Sequence, residues 1–147
     1  MREAAPIPSA FLDLLTTNVM AHVTTIDDRG RPLTHVVWVD SDGTSLRFSS
    51  PKGSVKGRIL RARPQVAVSV IDPRDPERWL SLQGEVTDIY DDEGLAFINQ
   101  LCQRYLGIPY YKFFERDIFV ITPTRVRFSA GPSEAQLEGF RKAGRQR

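Results

Sequence analysis

The sequence predicts a mainly β fold, an antiparallel barrel with inserted helices. Apolar and polar residues alternate with a period of two through residues 79–89, as in a strand that buries one face. Turn-forming sequences at residues 27–32 and 41–43 separate other β-rich segments, as in consecutive hairpins. Strands and helices do not alternate along the chain, which disfavours a doubly wound parallel sheet. Many short strands joined by hairpins are typical of an antiparallel barrel.

Size and composition favour one ordinary domain. The chain has 147 residues, 41% of them hydrophobic, with 20 basic and 18 acidic side chains. We expect a single domain with a core at about residues 10–130 and a flexible basic C-terminal tail. The single cysteine, Cys102, excludes an intrachain disulfide, so a cytoplasmic location is expected. Two histidines, His22 and His35, are too few for a typical catalytic metal site. No run of about 18 apolar residues is present, so no membrane span is predicted.

The N-terminal half is predicted to form a short helix and three strands. Ser9 is expected to cap the helix, because serine hydroxyls accept bonds from the first free backbone N–H groups. Residues 19–26 and 33–40 are β-rich on either side of a turn, which predicts a hairpin. A third strand beginning at Leu46 would then complete an antiparallel meander.

The C-terminal half is predicted to contain further strands and two helices. Residues 65–72 form a continuous Val, Ala and Ile run, which is typical of a strand buried on both faces. The acidic residues 91–93 are expected to open a helix that Gly107 ends, since carboxylates stabilise helix N-termini. The predicted order ends with strands at residues 118–122 and 125–129 and a short helix capped by Ser133.

Residues 46–64 form the most unusual segment of the chain. They are predicted to form a strand, a small-residue turn and a helix that Ser54 caps and Pro64 ends. No acidic residue occurs between Asp42 and Asp72, yet this interval contains several cations, namely Arg47, Lys52, Lys56, Arg58, Arg61 and Arg63. Hydroxyls, lysines and backbone N–H groups at a helix N-terminus together bind anions. The segment therefore predicts an anion site.

Five segments, in this order and spacing, resemble one known protein family: residues 33–39, 46–50, 56–64, 68–72 and 79–84. The family is that of the pyridoxamine-phosphate-oxidase-like split β-barrel flavin and deazaflavin oxidoreductases. The pattern is most similar to its actinobacterial branch, which uses the deazaflavin coenzyme F-420. The resemblance implies a six-stranded antiparallel barrel of the FMN-binding split-barrel type. It also implies a homodimer with two cofactors in grooves between the subunits.

The resemblance assigns cofactor contacts to three places in the chain. Residues that match the phosphate-binding part of the family motif are Ser49, Ser50, Lys52, Lys56 and Arg58. The strand that lines the isoalloxazine ring in relatives carries Thr34, His35, Val36 and Trp38 here. Trp79 matches the position from which the partner subunit closes the groove in a relative.

The leading hypothesis is an F-420-dependent reductase that transfers a hydride to a small conjugated organic substrate. F-420 carries a phosphate and an oligoglutamate tail, and the basic segment suits several negative charges. Hydride transfer is the cofactor's own chemistry, so no catalytic triad or carboxylate pair is required. The alternatives are an FMN-dependent oxidase or reductase on the same barrel and a non-catalytic F-420-binding carrier. A nucleic-acid binder is disfavoured by the net charge of +2.

The sequence does not identify a catalytic residue. Arg78, Tyr110 and a water molecule are candidate proton donors for the substrate, and nothing in the sequence selects among them. The aromatic residues in the range 110–114 would either wall a planar substrate pocket or pack in the core and dimer, and packing is favoured. The two tryptophans, Trp38 and Trp79, fit both roles equally.

Overall fold

The computed structural model describes residues 3–146, which form one curled antiparallel sheet with helices inserted between its strands. The strands are β1 (Ala21–Ile26), β2 (Pro32–Val37), β3 (Val39–Ser41), β4 (Leu46–Pro51), β5 (Gln65–Asp72), β6 (Asp75–Asp91) and β7 (Arg116–Ser129). The helices are α1 (Asp13–Thr16), α2 (Val55–Ala62), α3 (Ala96–Leu106) and α4 (Glu134–Arg145). Short 3-10 turns at Ser9–Phe11 and Glu93–Leu95 precede α1 and α3.

The sheet closes on itself at Trp38. The strand order is β2-β1-β5-β6-β7-β4-β3, and adjacent strands are antiparallel. β2 and β3 lie at opposite ends of this order, although only Trp38 separates them in the chain. The chain at Trp38 therefore joins the two edges of the sheet and curls it into a barrel. The predicted mainly β, antiparallel split-barrel architecture is confirmed.

The predicted number of strands, six, is wrong, because seven are present in the described part of the chain. The predicted strand at residues 33–40 changes partner at Trp38, with β1 bonded before it and β4 after it. Both hairpins are present, but β4 pairs with β3 and β7 and does not continue a meander from β2. The two predicted final strands are one strand, β7, with a register shift opposite Gly84.

Burial alternates along β5 and through the middle of β6. The three valines of β5 are buried while the residues between them are exposed, so the predicted burial of both faces is wrong. Ala67 is apolar but lies on the outer face, which makes the run look continuous in the sequence. In β6, Leu80 and Leu82 are buried between more exposed neighbours, which confirms the predicted period of two.

Two apolar clusters form the core. The larger fills the barrel, where the rings of Phe48 and Phe119 stack with centroids 5.1 Å apart. The smaller lies against α3 and contains Phe97, Ile98, Leu101 and Ile118. Trp38, Tyr105 and Tyr110 pack against this smaller cluster, so it connects the break in the sheet with the loop before β7.

Two of the three predicted helix caps are confirmed. The hydroxyl of Ser54 accepts a bond from the Gly57 N–H at 3.1 Å and starts α2. Ser133 caps α4 in a reciprocal capping box with Gln136. Ser9 does not cap the N-terminal turn, because it is the first residue of that turn and Pro8 occupies the cap position. No side chain bonds to the free N–H groups there.

Helix α3 begins later than its acidic start predicts. Asp91 belongs to β6, while the buried carboxylate of Asp92 accepts two backbone N–H bonds from the first turn, at 2.8 and 3.0 Å. The helix ends before Gly107, which adopts a φ of 72°, and Cys102 is fully buried within it. None of the helices in residues 3–146 is long and apolar enough to cross a bilayer.

Candidate functional site

A cleft of about 270 Å³ lies where the end of β2, the basic helix α2 and the aromatic loop before β7 meet. The residues that line it are Val36, Val37, Trp38, Ser49, Lys56, Ile98, Leu101, Tyr110, Tyr111, Lys112 and Arg116. Three of these are cations and none is Asp or Glu. The cleft therefore combines apolar walls with an excess of positive charge.

Trp38 forms an apolar wall that Tyr105 holds in place. The two rings stack with centroids 5.3 Å apart and an interplanar angle of 13°. The Tyr105 hydroxyl donates to the Val19 carbonyl at 2.6 Å and accepts from the Val39 N–H at 3.2 Å. Burial raises the pKa of Tyr105, so its hydroxyl stays protonated in these bonds. Helix α3 thus fixes the break between β2 and β3.

Lys56 brings a positive charge that no carboxylate neutralises. It lies in the first turn of α2, two residues after the Ser54 cap. No ion pair within residues 3–146 involves its ammonium group. Burial lowers the pKa of Lys56, and the positive charge of Arg116 lowers it further. An anion in the cleft would oppose both effects.

Arg116 is a second cation without a carboxylate partner in the described chain. Its Nε donates to the Ser49 hydroxyl at 2.7 Å, and its Nη2 donates to the Ser49 carbonyl oxygen at 3.4 Å. Its Nη1 donates to the Tyr110 hydroxyl at 2.9 Å. All of these acceptors are neutral. The guanidinium therefore keeps a full positive charge at the cleft, next to the aromatic loop.

Four of the ten predicted cofactor-binding residues line the cleft: Val36, Trp38, Ser49 and Lys56. The other six lie outside its lining: Thr34, His35, Ser50, Lys52, Arg58 and Trp79. Their roles at the cofactor stay predictions, and the contacts they make within the chain differ.

The two residues of β2 outside the lining face opposite ways. The hydroxyl of Thr34 lies 2.8 Å from that of Thr24 on the exposed outer face. His35 faces the other way, and its buried Nδ1 has no hydrogen-bond partner in the described residues. Burial lowers the pKa of His35, and the charge of Lys56 lowers it further. The charge of Lys56 therefore acts on His35, although His35 does not line the cleft.

Ser50 and Arg58 make bonds inside the turn and helix. The Ser50 side chain is fully buried, and its hydroxyl lies 2.7 Å from that of Ser54. Arg58 is exposed and donates to the Gly53 carbonyl oxygen at 2.9 Å. Ser50 would have to leave Ser54 before it could contact a phosphate.

Lys52 is neutralised within the chain. Its ammonium lies 2.8 Å from the Asp117 carboxylate and 2.9 Å from that of Asp91. These bonds, first to Asp117 and then to Asp91, raise the pKa of Lys52. Asp117 also binds Arg61 at 2.7 Å.

The basic segment is therefore less positive in space than in sequence. Besides Lys52 and Arg61, Arg47 is also paired, at 2.7 Å from Asp40. The interval between Asp42 and Asp72 contains no acidic residue, yet three of its six cations are neutralised by carboxylates from elsewhere in the chain. The reason is that β3, β6 and β7 carry carboxylates from distant parts of the sequence to the basic segment.

Trp79 and Arg78 lie together on β6, outside the cleft of their own chain. Trp79 is half-buried and pairs with Ile71 across the sheet. Arg78 binds Asp13 at 2.6 Å and Asp72 at 3.0 Å, and these bonds, chiefly that to Asp13, raise its pKa. Arg78 is therefore not a proton donor for the cleft.

The sequence did not point to Arg116 as a site residue. The available signal was the Arg116–Asp117 pair at the start of a strand, where alternation sends two opposite charges to two faces. In the aromatic loop, Tyr110 and Tyr111 line the cleft, whereas Phe113 is 91% exposed and does not pack in the core of its own chain.

The lining suits a flat aromatic ring system that carries an anionic substituent. Val36, Trp38 and Leu101 offer apolar contact, while Lys56 and Arg116 offer unneutralised positive charge. Lys56 and Arg116 repel each other and are partly removed from water, so an anion bound between them is favoured. This donor set fits a flavin or deazaflavin with its phosphate.

Comparisons with known proteins agree with this assignment. The family model of pyridoxamine 5'-phosphate oxidase matches residues 7–130. A solved F-420 reductase is 35% identical, with a TM-score of 0.75, over 82% of this chain and 98% of that chain. No protein of curated function matches the chain.

Two more distant structures show the fold alone. A conserved hypothetical protein from Mycobacterium tuberculosis is 22% identical, with a TM-score of 0.68, over 88% of this chain and 89% of that chain. A pyridoxamine 5'-phosphate oxidase-related, FMN-binding protein from Nostoc punctiforme is 15% identical, with a TM-score of 0.53, over 73% and 71%. With the barrel, the family match and the F-420 reductase taken together, the chain belongs to the pyridoxamine 5'-phosphate oxidase-like split-barrel family of flavin and deazaflavin oxidoreductases.

Proposed function

We propose that this protein is an F-420-dependent reductase that transfers a hydride from the reduced deazaflavin to a small conjugated organic substrate. The observation that carries the proposal is the similarity to an F-420 reductase, which is 35% identical over 82% of this chain. The cleft supports it, because an apolar wall and two unneutralised cations stand side by side there.

In this proposal the chain binds and orients the cofactor. Lys56 and Arg116 hold its anionic part, and a hydrogen bond between charged groups contributes about 1.5–3 kcal/mol. Val36 and Trp38 contact the ring system, and the apolar wall keeps water from it. The bound deazaflavin would supply the hydride. Lys52 has a smaller part, because it is already bound to Asp117.

FMN is the second candidate cofactor, because ion pairs occupy three of the cations that a longer anion could have used. Pairing of Lys52, Arg61 and Arg47 leaves fewer free cations than the sequence indicates. FMN has a single phosphate, which Lys56 and Arg116 are sufficient to neutralise. The longer F-420 anion would also use exposed cations such as Arg58.

Fluorescence titration with each cofactor at two salt concentrations separates the two candidates. We expect protein from a host without F-420 to purify colourless and to bind F-420 more tightly than FMN at moderate salt. Salt should weaken F-420 binding more steeply, because exposed charges are screened over about 8–10 Å near physiological ionic strength. If FMN binds more tightly at both salt concentrations, or if the protein purifies yellow, the cofactor is FMN and the F-420 proposal is wrong.

We also propose that the protein is a two-fold homodimer. The outward positions of β1, β2 and β5 contain no Asp, Glu, Lys or Arg. They are His22, Thr24, Ile26, Pro32, Thr34, Val36, Gln65, Ala67, Ser69 and Ile71. A sheet face in water normally carries charged residues, so this face suits contact with a second copy. A groove of about 290 Å³ crosses it beside Ala67. Val36 belongs to both this face and the cleft, and Trp79 pairs with Ile71 of the same face. We therefore propose that Trp79 of one subunit closes the cleft of the other.

Sedimentation velocity at micromolar protein tests the dimer. Ala67→Glu places a carboxylate at the centre of the uncharged face and should give a monomer with weakened cofactor binding. Gln103→Glu adds the same charge on the exposed side of α3 and should leave the dimer intact. A monomeric wild-type protein would contradict the proposal of a site shared between two subunits.

A further inference from the structure

The outward face of the sheet extends past β5 onto β6 and β7. Two rows of directly paired residues cross it from β7 to β2. One row is Arg127, Ser81, Ser69, His22 and Val36, and the other is Arg125, Gln83, Ala67, Thr24 and Thr34. Each row spans four strand spacings, or about 19 Å. An arginine therefore stands at one end of each row, and Val36 of the cleft stands at the far end of the first row.

The two arginines carry charge that no carboxylate neutralises within residues 3–146. Arg125 and Arg127 are exposed, and neither forms an ion pair there. Their neighbours along the rows, Gln83 and Ser81, are neutral. The outward carboxylate of β6, Glu85, pairs across the sheet with Gln65 and Thr122 instead. Both guanidinium groups are therefore free to bind an anion from outside their own chain.

Side-chain length differs between the two margins of this face. The middle strand β5 presents the small residues Ala67 and Ser69. The margin on the β7 side carries the long side chain of Arg127, whereas the margin on β2 carries the shorter Val36. The sheet is curled, so two copies packed by their outward faces touch at the centre and diverge toward the margins. Only a long side chain at one margin reaches the opposite copy.

The charges favour one arrangement of two such faces. A two-fold axis between them runs either across the strands or along them. An axis across the strands lays β7 over the partner's β7, where the arginines of the two copies repel each other. An axis along the strands through β5 lays β7 over the partner's β2, so that Arg127 meets Val36 at the cleft. Trp79 and the partner's Trp38 then lie level with each other, each two residues beyond that row.

We propose that Arg127 of one subunit binds the anionic part of the cofactor in the cleft of the other, so that cofactor binding and dimerisation are coupled. This inference rests on the proposed cofactor and homodimer and names the cation that joins them. Lys56 and Arg116 already bring unneutralised positive charge to the cleft, and without an anion they repel the incoming Arg127. A bound anion removes this repulsion and is held from both subunits, which is a favourable coupling between the two equilibria.

Dimers assembled from two different variants test whether Arg127 acts across the interface. Lys56→Met and Arg127→Met chains are co-expressed with different affinity tags, and the mixed dimer is titrated with F-420. Each variant homodimer should bind F-420 at least about 10-fold more weakly than wild type, because one charged contact is lost per cleft. In the mixed dimer one cleft lacks both cations, and the other keeps both. Half of the clefts should therefore bind with wild-type affinity.

The opposite result is equally clear. If Arg127 served the cleft of its own chain, every cleft of the mixed dimer would lack one cation, and no wild-type affinity would appear. That outcome, or wild-type affinity in the Arg127→Met homodimer, would overturn the proposal. Arg29→Met is the matched control, because it removes an exposed arginine on the β1–β2 turn, at the end of the hairpin away from Val36. It should change the affinity less than about twofold.

Sedimentation velocity gives the second readout, the coupling itself. Saturating F-420 should lower the dissociation constant of the wild-type dimer by at least about tenfold, and Arg127→Met should remove most of this gain. An equal gain in both proteins would overturn the proposal, as would a monomeric wild type. If wild-type protein binds FMN and not F-420, the proposed cofactor is wrong, and the mixed dimer titrated with FMN then judges Arg127. Binding of neither cofactor would overturn both proposals.

Discussion

Two neighbouring residues of β7, Arg116 and Asp117, meet two different parts of the basic segment. Asp117 is buried and binds Lys52 and Arg61 at 2.8 and 2.7 Å. Arg116 lies on the other face of the strand, in the cleft with Lys56, where no lining residue is acidic. One face of β7 neutralises positive charge, and the other leaves it for a ligand.

The comparison shows that cations of one basic segment can have two different structural roles. A cation that meets a buried carboxylate holds elements of the fold together. A half-buried cation without a partner costs stability, and such costs are common where a ligand will bind. Lys52 and Lys56 are four residues apart in the same segment, yet their pKa values shift in opposite directions.

The largest effect on stability is expected from Asp117→Asn. The variant keeps the shape of the side chain but removes the charge shared by Lys52 and Arg61, so we expect a loss of about 2 kcal/mol in the free energy of unfolding. Urea denaturation measures it. Asp91→Asn, at a more exposed carboxylate, is the control and should cost less than about 0.5 kcal/mol. If Asp117→Asn is as stable as the wild type, the claim that this face of β7 stabilises the fold through its ion pairs is wrong.

The affinity for F-420 should depend on pH through Lys56. Its pKa is lowered from 10.5, so the ammonium loses its proton at a lower pH than an exposed lysine does. Binding should weaken by up to about tenfold for each pH unit above that pKa, because only the charged form attracts the anion. Calorimetric titrations from pH 7 to pH 10 would show it. Lys56→Met should flatten this dependence, and a wild-type affinity that stays constant up to pH 10 would contradict it.

The smallest effect concerns the stability of the cofactor-free protein. Lys56→Met should leave it unchanged or raise it by up to about 1 kcal/mol, since it removes a partly buried charge. A lowered lysine pKa means that the folded state disfavours the protonated form. The penalty is therefore fully present below the folded pKa and fades as pH rises toward 10.5. In thermal unfolding the gain should therefore be larger at pH 7 than at pH 10. A loss of stability at pH 7 would contradict the account.

Features that depend on neighbouring residues were predictable from the sequence. The alternation in β6 and the caps at Ser54 and Ser133 follow from local side-chain chemistry, and all three are confirmed. The division of one predicted strand at Trp38 was not predictable in this way. It depends on the two edges of a barrel meeting there, which is a property of the whole sheet.

The candidate site was predictable only in part, for the same reason. The local motif led to Ser49 and Lys56, which do line the cleft. It also led to Lys52, whose partner Asp117 lies 65 residues further along the chain. Charge counting within one segment cannot find such a partner, nor can it find Arg116, which pairing of β4 with β7 brings to the cleft.

Titration of F-420 against Lys56→Met and Lys52→Met, at one salt concentration, tests the central claim most directly. The account predicts that Lys56→Met weakens binding by about 1.5–3 kcal/mol, or roughly 10- to 150-fold, because a bond to a charged group is lost. Lys52→Met should change the affinity less than about threefold, because Asp117 and Asp91 already hold that ammonium. Equal losses in both variants, or a larger loss for Lys52→Met, would show that F-420 is not held by the unpaired cations of the cleft.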